Sequence, residues 1–100
     1  DIQLPVEAGY AQHVYHLYVI RAERRDALQA HLQSLNIGTG LHYPLPLHLQ
    51  EAYAHRGWKR GLLPVTETAA DTILSLPMFP GLNSSQIERV ADGIRSFYRG

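Results

Sequence analysis

The sequence predicts a single α+β domain, and three observations carry that prediction. A run of β-branched and aromatic residues, His13-Val14-Tyr15-His16-Leu17-Tyr18-Val19-Ile20, suits a pleated strand. Apolar residues then recur at helical spacing, first through Leu28, Leu32 and Leu35 and again from Ile87 to Tyr98. Prolines and glycines separate these stretches at short intervals, as turns between packed elements require. With 100 residues, 45% hydrophobic and 18% charged, the chain has one domain's length and a globular composition.

Taken in order, residues 1–12 hold Pro5 and Gly9 without clear periodicity and read as a linker or lead-in. Ile2, Leu4 and Val6 alternate, so a short edge strand is the second reading there. The first main strand is expected over His13–Ile20, with large side chains on both faces. A helix follows over Ala22–Asn36, turning Arg24, Arg25, Gln29 and Gln33 outward; its start lacks a Ser, Thr or Asn cap, and Asn36 and Gly38 suit its end. A second strand, interrupted by glycine, is expected over Ile37–Tyr43 and stopped by Pro44.

Pro46 can open a short helix with Leu49, Ala52 and Tyr53 on its apolar face. The stretch Arg56-Gly57-Trp58-Lys59-Arg60-Gly61 reads as a loop, and Pro64 starts another helix through Val65, Ala69 and Ile73. A third strand lies over Leu74–Met78, closed by Pro77 and Pro80. Asn83 and Gln86 then have capping-box spacing ahead of a strongly amphipathic helix that ends near Gly100. With a right-handed crossover between the first two main strands, the third slots between them, antiparallel to both.

Charge and cysteine content narrow the function classes. Nine Lys and Arg balance nine Asp and Glu, so the broad positive field of a nucleic-acid binder is absent. No cysteine means no disulfide framework and no thiolate chemistry, which fits a cytoplasmic protein. No apolar run approaches the roughly 18 to 20 residues of a membrane span, and no signal pattern opens the chain. The first residue is Asp1 and the only methionine is Met78, which points to a piece of something longer.

Six histidines invite a metal reading. However, His13 and His16 sit on opposite faces of a strand, and His42, His48 and His55 converge only if their loop folds back. Solvated or packed side chains are the preferred account of His13, His31 and His55. A triad of Ser75, His42 and Asp71 lacks a nucleophile elbow, and Gly38-Thr39-Gly40 lacks the lysine and helix start of a phosphate loop. The cluster Trp58-Lys59-Arg60 reads as a solvated loop. His42 and Tyr43 differ, because the end of a strand before a proline-stiffened turn is where a scaffold presents polar groups to a ligand.

The segments His13–Arg21, Arg25-Asp26, Leu35–Thr39, His42-Tyr43-Pro44-Leu45-Pro46-Leu47-His48-Leu49-Gln50, Leu63-Pro64, Glu67 and Leu74-Ser75-Leu76-Pro77-Met78 together resemble the carboxy-terminal part of the DegT/DnrJ/StrS family. That family comprises fold-type-I aminotransferases that use pyridoxal phosphate on keto sugars attached to nucleotides. The resemblance implies that residues 13–100 form a small domain with a three-stranded, mainly antiparallel sheet and flanking helices. It further implies a large cofactor-binding domain as partner, a nucleotide-sugar substrate and a homodimer, with no role for nucleic acid or membrane. His42 and Tyr43 are carried over as substrate-side contacts, with His48 as a third candidate.

The cofactor needs a Schiff-base lysine, a carboxylate for its pyridine nitrogen and a phosphate cradle. The sole lysine, Lys59, lies in the Trp58–Arg60 loop and does not match the family's lysine motif. The chain is therefore expected to be inactive without the large domain. The alternative is a stand-alone, non-catalytic binding module for a sugar nucleotide or a protein.

Overall fold

The computed structural model describes residues 1–100. Its sheet is built on β2 (Tyr18–Ala22), flanked by the short edge strand β1 (Ile2–Gln3) and by β3 (Ile73–Leu76). Both pairings are antiparallel, with Ile2 opposite Ala22 and Ile20 opposite Leu74. On its other edge β3 carries one further antiparallel bridge, between Ser75 and Gly40. β3 thus lies between β2 and the Gly40 segment, antiparallel to both, as the predicted topology requires.

The predicted second strand shrinks to that single bridge. Gly40 exchanges both backbone hydrogen bonds with Ser75, at 3.0 and 2.8 Å. Pairing stops at Gly40, and Pro44 and Pro46, which offer no amide to a ladder, follow within six residues. The leading residues do form the edge strand that their alternation allowed. The first main strand starts at Tyr18 instead of His13. Ahead of it, Tyr15 takes a left-handed φ of 49°, and its amide donates to Nδ1 of His13 at 2.7 Å. That local side-chain bond replaces a ladder bond.

Three helices cover the sheet: α1 (Arg25–Ser34), α2 (Pro64–Thr72) and α3 (Ser84–Arg99). Alternation along β2 puts Tyr18, Ile20 and Ala22 on the core face, and Leu74 and Leu76 do the same on β3. Ile20, Leu28, Leu32 and Leu74 are fully buried, joined by Ala22, Ile37 and Ile94. Burial of each large aliphatic side chain contributes on the order of 1.5 to 3 kcal/mol. α1 and α3 approach closely at Gly93, where an added Cβ would lie 3.0 Å from Leu32 Cδ2 and 3.1 Å from Ile37 Cδ1.

The helix termini follow local chemistry. α1 begins without a side-chain cap, behind a left-handed Arg24, and ends before Asn36 at φ 61°. Pro64 opens α2 at its first turn. At α3 the capping box closes in both directions: Asn83 Oδ1 accepts from the Gln86 amide at 2.9 Å, and Gln86 Oε1 accepts from the Asn83 amide at 3.0 Å. The helix expected after Pro46 is instead two 3-10 turns, Leu47–Leu49 and Glu51–Arg56, split by an extended Gln50. The second turn buries no residue, so nothing packs it into a longer α-helix.

One outward assignment is reversed. Arg25 shares the stripe of Leu28 and Leu32, at i, i+3 and i+7, and is only 8% exposed. Its Nη1 donates to the carbonyls of Ala70 (3.0 Å) and Ile73 (2.8 Å), while Nε donates to Asp26 (2.7 Å). The guanidinium thereby ties the start of α1 to the junction of α2 and β3.

Candidate substrate-facing site

The site begins at the outer edge of β3. Ser75 alternates with Leu74 and Leu76, so its side chain leaves the core face for the opposite face of the sheet, where it meets His42. Its hydroxyl lies 2.8 Å from Nδ1 of His42, and Ser75 itself is 4% exposed. The imidazole of His42 lies against the α-carbon of Gly40, where an added Cβ would stand 2.7 Å from Cε1 and 3.3 Å from Nδ1. Only glycine leaves room for the ring in that position. Beside it, the Tyr43 ring meets His42 edge-on at 5.5 Å, and Tyr43 is 73% exposed. The peptide between the two residues is cis.

His48 does not join them on the surface. It is 6% exposed and its Nε2 lies 2.9 Å from Oε2 of Glu67 on α2, while Nδ1 is buried without a partner. Glu67 also accepts from the amides of Gly61 (2.7 Å) and Leu63 (3.0 Å), and Arg60 stands 3.7 Å away. Burial pushes the Glu67 carboxyl upward. The hydrogen bonds from Gly61, His48 and Leu63, with the charge of His48, outweigh that and hold it below its usual range. The carboxylate therefore gathers the 3-10 segment and the following turn onto α2. Arg60 closes the same turn with a two-pronged bond to Asp71, at 2.9 and 2.8 Å.

That pairing takes Asp71 away from the imagined triad. The His42–Ser75 pair does form, yet the buried hydroxyl is not open to attack a substrate. The other histidines take packing or surface roles: His13 stacks on Tyr15 at 4.2 Å, His31 bonds to Ser96 at 3.0 Å, and His16 and His55 are exposed. No three histidine, aspartate or glutamate side chains converge as an ion site. No helix is long and apolar enough to cross a membrane.

A groove of about 420 Å³ runs between β1 and α3, with Leu4, Tyr18, Met78, Ile87 and Val90 among its walls. A second apolar surface lies around the 3-10 segment, where Leu47, Tyr53, Trp58, Leu62 and Leu63 are exposed. Lys59 is exposed on the turn between Gly57 and Gly61 and lines neither. Ser75, Gly40 and Arg25 escaped sequence reasoning as site supports. For Ser75 the available signal was a lone polar residue alternating with leucines at the strand edge.

Comparison with known proteins places this arrangement. The chain is 50% identical to a pleiotropic regulatory protein of Geobacillus stearothermophilus over 95% of its own length and 26% of the relative's. It is 45% identical to the dTDP-3-amino-3,4,6-trideoxy-alpha-D-glucose transaminase of Streptomyces venezuelae, over 96% of this chain and 25% of that enzyme. DesV of S. venezuelae, solved in complex with a ketimine intermediate, superposes with a TM-score of 0.90 at 45% identity, covering 96% of this chain and 26% of that one. The small antiparallel sheet with its helices is thus the α+β fold found in one portion of fold-type-I aminotransferases. The sequence pattern of the DegT/DnrJ/EryC1/StrS aminotransferase family matches residues 1–95, and the chain belongs to that family. It spans about a quarter of the length of the relatives it matches.

Proposed function

We propose that this chain is the small-domain portion of a pyridoxal-phosphate-dependent aminotransferase acting on nucleotide-linked keto sugars, with His42 and Tyr43 at the substrate-facing edge. The observation that carries the reading is the loop itself: an imidazole held by Ser75 and Gly40 beside an exposed phenol, at the end of a rigid sheet. Tyr43 offers a hydroxyl and a flat apolar face to a sugar, and His42 offers a ring nitrogen to a sugar or phosphate oxygen. His48, the third candidate, serves from beneath by bonding to Glu67 and holding the segment that follows the loop.

When bound, the cofactor supplies the electron sink through which an amino group is exchanged for a carbonyl. The residues of this chain do not fit a seat for it, because Lys59, the sole lysine, is exposed on a turn and lies in neither apolar surface. Cofactor binding is accordingly assigned to the large domain, and this chain contributes substrate contacts. The family assignment and the similarity to a dTDP-sugar transaminase support the reading. The relative described as a pleiotropic regulatory protein supports a second one, a binding module without catalysis.

The test starts from the coding sequence upstream of the Asp1 codon. A frame continuing into a lysine-bearing domain is expected, and the whole polypeptide should transfer an amino group to a dTDP- or UDP-linked keto sugar. His42→Ala and Tyr43→Phe should raise KM in that polypeptide. A frame without such a domain, or a whole polypeptide that binds nucleotide sugar but transfers nothing, favours the binding module.

A further inference from the structure

We infer that Ser75 and Gly40 are positioning residues that hold the His42 ring in one place and, in its neutral form, in the Nε2–H tautomer, so the ligand group it meets is an acceptor oxygen. The inference rests on the proposed role of His42 at the ligand. An exposed histidine ordinarily samples several rotamers and both tautomers. Here two independent contacts restrict it: Ser75 Oγ at 2.8 Å from Nδ1, and the ring seated where Gly40 has no Cβ. Neither support moves easily, since Ser75 is paired with Val19 on one edge of β3 and with Gly40 on the other.

The direction of the His42–Ser75 bond follows from burial. Ser75 is 4% exposed, and Nδ1 of His42 is the one partner its hydroxyl has. If Nδ1 carried the proton, the hydrogen of this buried hydroxyl would be left without a protein acceptor. The hydroxyl therefore donates to Nδ1 and the proton of the neutral ring resides on Nε2. A donor at that position selects a carbonyl, hydroxyl or phosphate oxygen and discriminates against a ligand amine or ammonium.

Ring-¹⁵N and NOE spectroscopy on the 100-residue chain tests this directly. Above the histidine titration range, His42 should show the Nε2–H tautomer and an NOE from its Hε1 to the Gly40 α-protons. Ser75→Ala should abolish that NOE and average the ring signals, whereas Ser75→Thr, which keeps the hydroxyl, should restore them. Gly40→Ala should displace the ring with Ser75 intact, and each variant's amide dispersion reports that it is folded. A wild-type Nδ1–H tautomer, or a ring undisturbed in both Ser75→Ala and Gly40→Ala, overturns the inference.

Titration of the whole polypeptide with dTDP-glucose and UDP-N-acetylglucosamine separates this from the functional reading. Ser75→Ala should weaken binding about tenfold, the worth of one lost hydrogen bond. If the ring responds as stated while even the wild type ignores both probes, the positioning stands and the proposed function falls. If binding is seen but the ring is indifferent to both substitutions, the function stands and the positioning falls.

Discussion

Replacing Arg25 by methionine isolates the clamp between α1 and the α2–β3 junction. Methionine keeps an aliphatic stem in the stripe of Leu28 and Leu32 but removes both bonds to the carbonyls of Ala70 and Ile73. Charge-assisted bonds of this kind contribute roughly 1.5 kcal/mol each at the lower end, so the loss is about 3 kcal/mol. The contact with Asp26 adds little, because that carboxylate is 86% exposed. In a domain of this size about 3 kcal/mol lowers Tm by roughly 12 to 24 °C. Urea unfolding followed by far-UV circular dichroism should show a lower midpoint with an unchanged slope. Arg25→Lys, a single point charge, should recover about half of the loss. A Tm change under about 3 °C for Arg25→Met, or equal values for Met and Lys, would refute the clamp.

Three further outcomes are expected. Asn83→Ala removes the α3 capping box and should cost about 1 kcal/mol in the same unfolding assay, with Asn83→Asp close to wild type. Because the folded Glu67 carboxyl lies below its unfolded value, it contributes stability above the ordinary carboxylate range and loses it as pH falls through the lowered folded value. Glu67→Gln should flatten that part of the stability profile below the ordinary carboxylate range, and a profile that keeps its acid slope would count against the assignment. Finally, Leu47, Trp58, Leu62, Leu63 and Val65 expose apolar surface that the proposed large domain would cover. The chain should therefore self-associate in sedimentation runs at high concentration, and a strict monomer would contradict the expectation.

What the sequence made legible follows the range of the interactions involved. The α3 start was readable because Asn83 and Gln86 lie three residues apart and satisfy each other's backbone. The start of α2 was readable because Pro64, at its first turn, is a local signal of a helix start. The limits of the main strand were not, because the β-forming composition of residues 13–17 competes with a His13–Tyr15 bond that composition does not reveal. Arg25 was assigned to solvent by its charge, although its spacing from Leu28 and Leu32 put it on the buried stripe. Periodicity outweighed residue type there because the carbonyls that satisfy the guanidinium lie 45 and 48 residues away.

The same distinction separates the parts of the candidate site. The density of polar rings in residues 42–48 drew attention to the loop, but density does not tell a presented side chain from a buried one. Two partners distant in sequence decide it: Ser75, 33 residues on, fixes His42 at the surface, and Glu67, 19 residues on, holds His48 inside. Histidines six residues apart thereby acquire opposite placements, one exposed on the loop and one buried beneath it, holding the backbone that follows. Both partners depend on the placement of α2 and β3, which meet at Thr72 and Ile73, where Arg25 grips the chain. A substitution at Arg25 should therefore reach His42 through β3, broadening its ring signals although the hydrogen bonds of Arg25 go to Asp26, Ala70 and Ile73 and not to the loop.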